Sequence, residues 1–164
     1  MSVVRVISGG QTGVDRAALD AARRLEIPYG GWCPAGGWAE DMPDPPGLLV
    51  DYPDLIPTQS VVPAVRTRRN VHDSDATLIL LPGGSFRSPG TTFTVVCARR
   101  FGRPFMVTRL DSPDGVIPWL DGLPEASTLN VAGPRESEVP GTYDGALALL
   151  QRLLIRRSTA DRGG

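Results

Sequence analysis

The 164-residue sequence contains no lysine, and all 17 of its basic side chains are arginines. A nucleotide-binding loop of the Walker type requires a lysine, and so does a pyridoxal phosphate Schiff base, so both chemistries are excluded. The basic side chains are balanced by 18 acidic ones. Because a balanced charge creates no net field that attracts nucleic acid or an anionic membrane surface, neither is expected as a partner.

Cysteine and histidine are also scarce. Cys33 and Cys97 lie far apart and His72 is the only histidine, so one chain cannot assemble a structural zinc site from Cys and His ligands. A Ser-His-Asp triad would have to use His72, which stands in a polar helical run, and the sequence has no nucleophile elbow. We therefore predict no metal bound by protein ligands and no catalytic triad.

Long hydrophobic runs are absent as well. No apolar segment is long enough to span a membrane, and the apolar start at Val3–Ile7 lacks the length and basic flank of a signal peptide. Two widely spaced cysteines fit a reducing compartment. The expected location is the cytoplasm.

Short β-branched runs alternate with longer helical ones, which predicts an α/β fold: a mostly parallel sheet with helices on both faces. A chain of this length forms a single domain. We place it at residues 1–155, followed by a disordered tail at 156–164.

The unbroken apolar run at 76–81 predicts a central strand buried on both faces. The other predicted strands cover residues 3–8, 29–33, 104–108 and 129–132. Predicted helices cover 14–25, 61–71, 92–101 and 143–155, and residues 34–57 are predicted to be irregular.

Three predicted strands run directly into glycine-containing loops that enter helices. In a parallel sheet such junctions lie at the carboxyl edge, where open α/β folds bind ligands, so we expect the loops to converge. Glycines let the backbone approach a ligand closely, and the N–H groups at a helix N-terminus favour phosphate. The first loop supplies Gly9, Gly10, Gln11, Thr12, Gly13 and Asp15. The second supplies Gly83, Gly84, Gly90, Thr91 and Thr92, and the third supplies Gly133, Arg135 and Ser137.

Each loop also has a simpler interpretation. The first is also typical of an ordinary tight turn and the second of a flexible surface turn, and the charges of the third are equally consistent with solvation. Arg66, Asn70 and Asp73, upstream of the second loop, lie at helical spacing and would present polar groups to the same crevice. A solvated helix face explains these three residues equally.

Aromatic residues follow the second predicted strand. Trp32 and Trp38 would offer a flat stacking surface, and Glu40 and Asp41 would hydrogen-bond to a ring. The alternative is aromatic packing beneath a long loop.

Five segments of the chain together resemble the putative molybdenum carrier family. They are ISGGQTGVDRAALDAA from Ile7, IPYGGWCPAGGWAED from Ile27, RTRRNVHDSDATLIL from Arg66, PGTTFT from Pro89 and LNVAGPRES from Leu129. The resemblance spans residues 3–154. It implies a Rossmann-like ligand-binding domain, molybdenum cofactor (molybdopterin) as cargo, and a homodimer or higher homo-oligomer.

The family is similar in turn to the phosphoribohydrolases often labelled lysine decarboxylase-like. In those enzymes an arginine, an Asp-Ala strand start and a Gly-Thr pair precede two catalytic glutamates, and here Arg66, 75–76 and 90–91 match the pattern. Phe93 and Thr94 stand where the glutamates would be. Neither can act as a carboxylate base or stabilise an oxocarbenium charge. The resemblance therefore implies phosphate binding without that catalysis, and no catalytic residue is predicted.

These observations lead to a binding or carrier protein for a small phosphorylated ligand with a flat heterocycle, either molybdenum cofactor or a nucleotide. Two alternatives remain. The first is a nucleoside 5'-monophosphate N-glycosidase that uses Asp15, Glu40 or Asp41 in place of the missing glutamates, and the second is a nucleotide-sensing module.

Overall fold

A computed structural model describes residues 3–83 and 88–160, with side chains up to residue 155. Its strands are β1 (Val3–Ile7), β2 (Tyr29–Gly30), β3 (Trp32–Cys33), β4 (Ile56–Pro57), β5 (Ala76–Leu81), β6 (Phe105–Arg109) and β7 (Ser127–Ala132). Its helices are α1 (Val14–Arg24), α2 (Pro63–His72), α3 (Pro89–Arg100), α4 (Val116–Asp121) and α5 (Thr142–Ala160).

The main sheet has the strand order β2-β1-β7-β5-β6, and each of its pairings is parallel. This confirms the predicted parallel α/β sheet. β3 and β4 form a separate parallel pair. The strand predicted over residues 29–33 is thus divided, because the chain leaves the main sheet after Gly30 and the backbone of Trp32 is bound by the side chain of Asn70.

The side chains of β5 pack on both faces of the sheet. It lies between β7 and β6, and five of its six residues are buried. Alternate side chains of a strand point to opposite faces. Leu78 and Leu80 pack with α1 and α5 in the main hydrophobic core, whereas Ile79 lines a cavity together with residues of α2 and α3. Helices therefore cover both faces, as predicted, although β7 rather than β5 is the middle strand.

α1 is the helix that the sequence defines best, and it packs on α5. Its buried face consists largely of alanines at helical spacing, such as Ala17, Ala18 and Ala21, which are fully buried. Small side chains let the two helices approach closely, so Leu150 and Leu154 of α5 are fully buried against the same core. The predicted start at residue 14 is confirmed, and the helix ends one residue before the predicted end.

Several element boundaries differ from the predictions. α3 begins at Pro89 rather than residue 92, because Ser88 caps it through a hydrogen bond from the Thr91 N–H to Ser88 Oγ (3.1 Å) and proline suits the first helical position. α4 was not predicted. α5 continues to Ala160, so residues 156–160 of the predicted disordered tail are helical, and 161–164 lie outside the described residues.

The segment between β3 and β4 is irregular, as predicted, but it is packed. It contains two short 3-10 turns, Ala35–Gly37 and Gly47–Leu49. Leu48 and Leu55 are buried in a second hydrophobic cluster that includes Leu19 of α1. The segment is therefore fixed against α1. No helix within residues 3–83 and 88–160 is long and apolar enough to cross a membrane.

We predict that Gly13→Ala destabilises the protein through a backbone clash. Gly13 precedes α1 with φ of 79° and ψ of −131°, and a Cβ atom there would overlap the carbonyl oxygen of Pro134 and lie 2.8 Å from the Glu136 nitrogen. The free energy of unfolding, measured by urea denaturation, should fall by about 3 kcal/mol.

Gly102→Ala is the matched control, since Gly102 also has a positive φ (62°) but no heavy atom within 4 Å of an added Cβ. Gly102→Ala should lower the free energy of unfolding by about 1 kcal/mol, because it adds the strain of a left-handed backbone conformation without a clash. Equal losses in the two variants would contradict the proposed clash.

Candidate functional site

A cavity of about 420 Å³ opens at the carboxyl edge of the sheet, between the first turns of α1 and α3 and one side of α2. Ile79 of β5 and Ala132 of β7 form part of its wall. All three predicted loops reach this cavity. The predicted site residues that line it are Gln11, Asp15, Arg66, Gly90, Thr91, Gly133 and Arg135.

An ion pair between Asp15 and Arg66 forms the floor of the cavity. Asp15 Oδ2 lies 2.9 Å from Arg66 Nη1, and the two side chains are only 5% and 14% exposed. Burial raises the pKa of Asp15, against the opposing charge and hydrogen bond of Arg66. The Arg66 side chain crosses Gly9 so closely that any Cβ there would overlap it. Arg66 Nε is buried and has no hydrogen-bond partner among the described residues.

Three backbone amides of the first loop are already engaged by the protein itself. The Gln11 N–H donates to the Asp15 carboxylate, the Thr12 N–H to the Gln11 side chain (3.1 Å), and the Val14 N–H to the carbonyl of Pro134 (3.2 Å). From the sequence, we expected such amides to cradle phosphate. The structure instead uses these three to hold Asp15 in place and to join the first loop to the third.

At the second loop, the first turn of α3 borders the cavity. The Thr91 and Thr92 N–H groups both donate to Ser88, and Pro89 has no N–H. These bonds leave the Gly90 N–H as the first-turn amide available to a ligand.

The other predicted residues of the second loop lie elsewhere. Gly83 does not line the cavity, and a Cβ there would overlap the Asp111 carboxylate. Thr92 is exposed, and its hydroxyl lies 3.3 Å from the Ser88 carbonyl. Gly84 lies outside the described residues.

Arg135 of the third loop lies between two carboxylates. Its Nε is 3.1 Å from Glu138 and its Nη1 is 3.7 Å from Glu40. Glu40 accepts a short hydrogen bond from the Thr12 hydroxyl and one of 2.7 Å from the Ser137 hydroxyl. Burial acts to raise the pKa of Glu40, but these hydrogen bonds and Arg135 outweigh it and lower the pKa.

A second cavity, of about 730 Å³, is lined in part by Glu40. Thr12, Gly13, Glu40 and Ser137 line this cavity rather than the first. So does Asp41, which forms two hydrogen bonds of 2.9 Å with Arg16. The predicted site residues are thus divided between two spaces. Gly10 is part of neither lining, and its Cβ position faces Leu48 and Leu55.

The predicted roles of Asn70 and the tryptophans are not supported by their positions. Asn70 is 2% exposed, and its amide accepts from the Trp32 N–H (2.7 Å) and donates to the Trp32 carbonyl (3.0 Å). The Trp32 indole donates to Asp73 (2.7 Å), and Arg69 lies 4.5 Å from the ring centroid. Trp38 is partly buried and lines neither cavity. These residues attach α2 to β3 or fill the irregular segment.

Phe93 and Thr94, at the positions of the missing glutamates, do line the first cavity. The Thr94 hydroxyl donates to the Gly90 carbonyl (2.8 Å) and is buried. Phe93 supplies the aromatic surface that the sequence analysis assigned to the tryptophans. Glu138 also lines the cavity, and no spacing in the sequence indicated it, because its position follows from the turn after β7.

A parallel α/β sheet with helices on both faces and a loop-lined cavity at its carboxyl edge defines a Rossmann-like α/β domain. The circularly permutated YpsA SLOG family matches residues 6–154, and the chain belongs to that family. It is also similar to a crystal structure of a putative molybdenum carrier protein from Syntrophus aciditrophicus SB. The two chains are 33% identical with a TM-score of 0.79, over 94% of this chain and 96% of that one. No curated protein matches the chain. The predicted family and fold are confirmed.

We predict that the ion pair between Arg16 and Asp41 makes stability depend on pH. Hydrogen bonds from Arg16 lower the pKa of Asp41, so the carboxylate stabilises the fold above its unfolded pKa of about 3.9. This contribution is lost as the pH falls through the lowered pKa. Asp41 is 42% exposed, and after allowance for solvent screening Asp41→Asn should cost about 1 kcal/mol at pH 7.

Urea denaturation of both proteins at pH 7 and pH 2.5 measures the effect, and the difference between them should shrink at the lower pH. Asp54→Asn is the control, because Asp54 lies in the same segment and bonds to none of the described residues. A difference that stays constant with pH would contradict the prediction.

Proposed function

We propose that the protein is a binding or carrier protein for a small phosphorylated ligand with a flat heterocycle, held in the first cavity. Molybdenum cofactor, as cargo, is the ligand that the family relationship favours, and a nucleotide is the other. The observation that carries the proposal is the buried Arg66 Nε, which has no partner among the described residues and belongs to a cavity-lining side chain.

The charge around Arg66 supports an anionic ligand group. A buried donor without a partner costs about 1–3 kcal/mol, and a phosphate oxygen would remove that cost. Arginine also binds phosphate in a two-point geometry. The Gly90 N–H at the start of α3 and the Arg135 guanidinium line the same cavity, so residues with hydrogen-bond donors from three separate elements border one cavity.

The remaining wall supports the heterocycle. Phe93 and Ile79 are apolar, and Phe93 can stack on a flat ring. The volume of about 420 Å³ lies within the range of sites for small organic molecules. A phosphate at one end and a ring at the other would therefore fit the distribution of polar and apolar residues.

Binding is favoured over hydrolysis by the carboxylates of the cavity. Of the three carboxylates considered for an N-glycosidase, Asp15 alone lines the first cavity, and it is paired with Arg66. Glu40 and Asp41 line the second cavity. Asp15 Oδ2 accepts a hydrogen bond from Arg66 Nη1 (2.9 Å), so this oxygen would take a proton from a ligand only after that bond breaks.

The two cysteines support the proposed cytoplasmic location. Both are buried and unpaired, and burial raises the pKa of the Cys33 thiol to about 11, which makes it unreactive. A homodimer or higher homo-oligomer stays a prediction from the family relationship.

We predict that GMP binds to the first cavity and that Arg66→Lys weakens its binding at least tenfold, or about 1.4 kcal/mol. Guanine is a suitable probe because it shares its amino-oxo-pyrimidine ring with pterins. Lysine keeps the positive charge beside Asp15 but removes Nε and the two-point geometry. Isothermal titration calorimetry measures the dissociation constant. Arg68→Lys is the matched control on the same helix, since Arg68 does not line this cavity, and it should leave GMP binding unchanged.

Native mass spectrometry and molybdenum analysis of the freshly purified protein complete the test. The expected result is a retained phosphorylated compound. The proposal is wrong if GMP does not bind and no such compound is retained. Release of guanine from GMP would show that the protein is a nucleoside 5'-monophosphate N-glycosidase rather than a carrier.

A further inference from the structure

A groove of about 610 Å³ between α2 and α3 adjoins the proposed ligand cavity. Ala64 of α2 and Phe93 of α3 line both spaces. The Phe93 side chain is partly exposed and forms the common wall. From Phe93 the groove runs to Phe101, a distance of about 12 Å along the helix axis at 1.5 Å per residue. A ligand that passes Phe93 would enter the groove directly.

Basic side chains line the groove. Arg68, Arg69 and His72 line it, and the lining includes no carboxylate. The Arg68 guanidinium lies 6.0 Å from the Phe101 ring centroid and forms no ion pair with the described residues. Arg69 stacks on Trp32 and is attracted by Asp73, which also bonds to His72 (2.8 Å). Of the two arginines that line the groove, Arg68 is therefore the one whose charge is not balanced by a carboxylate among the described residues.

The first cavity differs from the groove in this respect. Its arginines face carboxylates: Arg66 pairs with Asp15 and Arg135 with Glu138. One phosphate suits that cavity, since further negative charge would lie close to Asp15 and Glu138. A second anionic group is stabilised better beyond Phe93, where Arg68 is unpaired.

We propose that the ligand carries two anionic groups that flank one nucleoside or similar ring-bearing unit, the first bound in the cavity and the second beside Arg68 in the groove. The ring lies against Phe93. The inference rests on the proposed function and deepens it: the ligand class is a linear dinucleotide or a similarly extended bis-phosphate rather than a mononucleotide. Arg68 determines specificity, because it contacts only the part that a mononucleotide lacks.

Calorimetric titration with GMP and with the linear dinucleotide pGpG tests the proposal on the full chain. The wild-type protein should bind pGpG at least tenfold more tightly than GMP. Arg68→Gln should remove this advantage and leave the GMP dissociation constant unchanged. Arg100→Gln is the matched control, an exposed arginine on α3 that is not part of the groove lining, and it should keep the full preference for pGpG.

The outcomes separate this inference from the proposed function. Equal affinity of the wild-type protein for GMP and pGpG overturns the inference and leaves the proposed function standing. Equal losses in Arg68→Gln and Arg100→Gln also overturn it, because they indicate attraction by overall charge. If neither compound binds and no phosphorylated compound is retained after purification, the proposed function fails, and the inference fails with it.

Discussion

The buried ion pair between Asp15 and Arg66 is the interaction on which the site depends. It joins α1 to α2 at the carboxyl edge, and both side chains are almost fully buried. Two charges removed from water are stable only if each satisfies the other, so a movement of one helix relative to the other would leave a buried charge without its partner. Gly9 makes this possible, because any side chain there would occupy the space of the guanidinium. The same constraint leaves Arg66 Nε at the cavity with no described partner.

The loop glycines serve contacts within the protein more than contacts with a ligand. Gly13 lies against the backbone of Pro134 and Glu136, and Gly133 fits against the Leu80 carbonyl and Val14. The first and third loops therefore interlock through their backbones. A loop whose amides are bound to its neighbours gains rigidity and gives up donors, so the proposed anion would be bound mainly by arginine side chains and the start of α3. In a chain without lysine, those side chains are all arginines.

Local patterns in the sequence were enough to predict most of the framework, and the exceptions have physical reasons. The apolar run of β5 and the alanine spacing of α1 are local signals, and both elements appear where expected. α4 is six residues long with Pro118 inside it, so neither periodicity nor propensity marks it. The convergence of the loops followed from the parallel topology alone. The role of Asn70 did not, because an amide that satisfies a distant backbone has the same sequence signature as one that awaits a ligand.

Glu40 and Arg135 explain why the site is divided, and they also limit how strongly it can bind. Glu40 is fixed by Thr12 and Ser137 and lines the second cavity, while Arg135, which it attracts, lines the first. Arg135 is attracted to Glu40 and bound to Glu138, so a phosphate in the first cavity must compete with two carboxylates for it. The gain from Arg135 is the difference between these interactions and is therefore small. In the proposed complex, Arg66 would instead bind the phosphate through Nε while its Nη1 remains with Asp15. The proposed phosphate would therefore depend chiefly on Arg66, because this arginine does not have to give up its bond to Asp15.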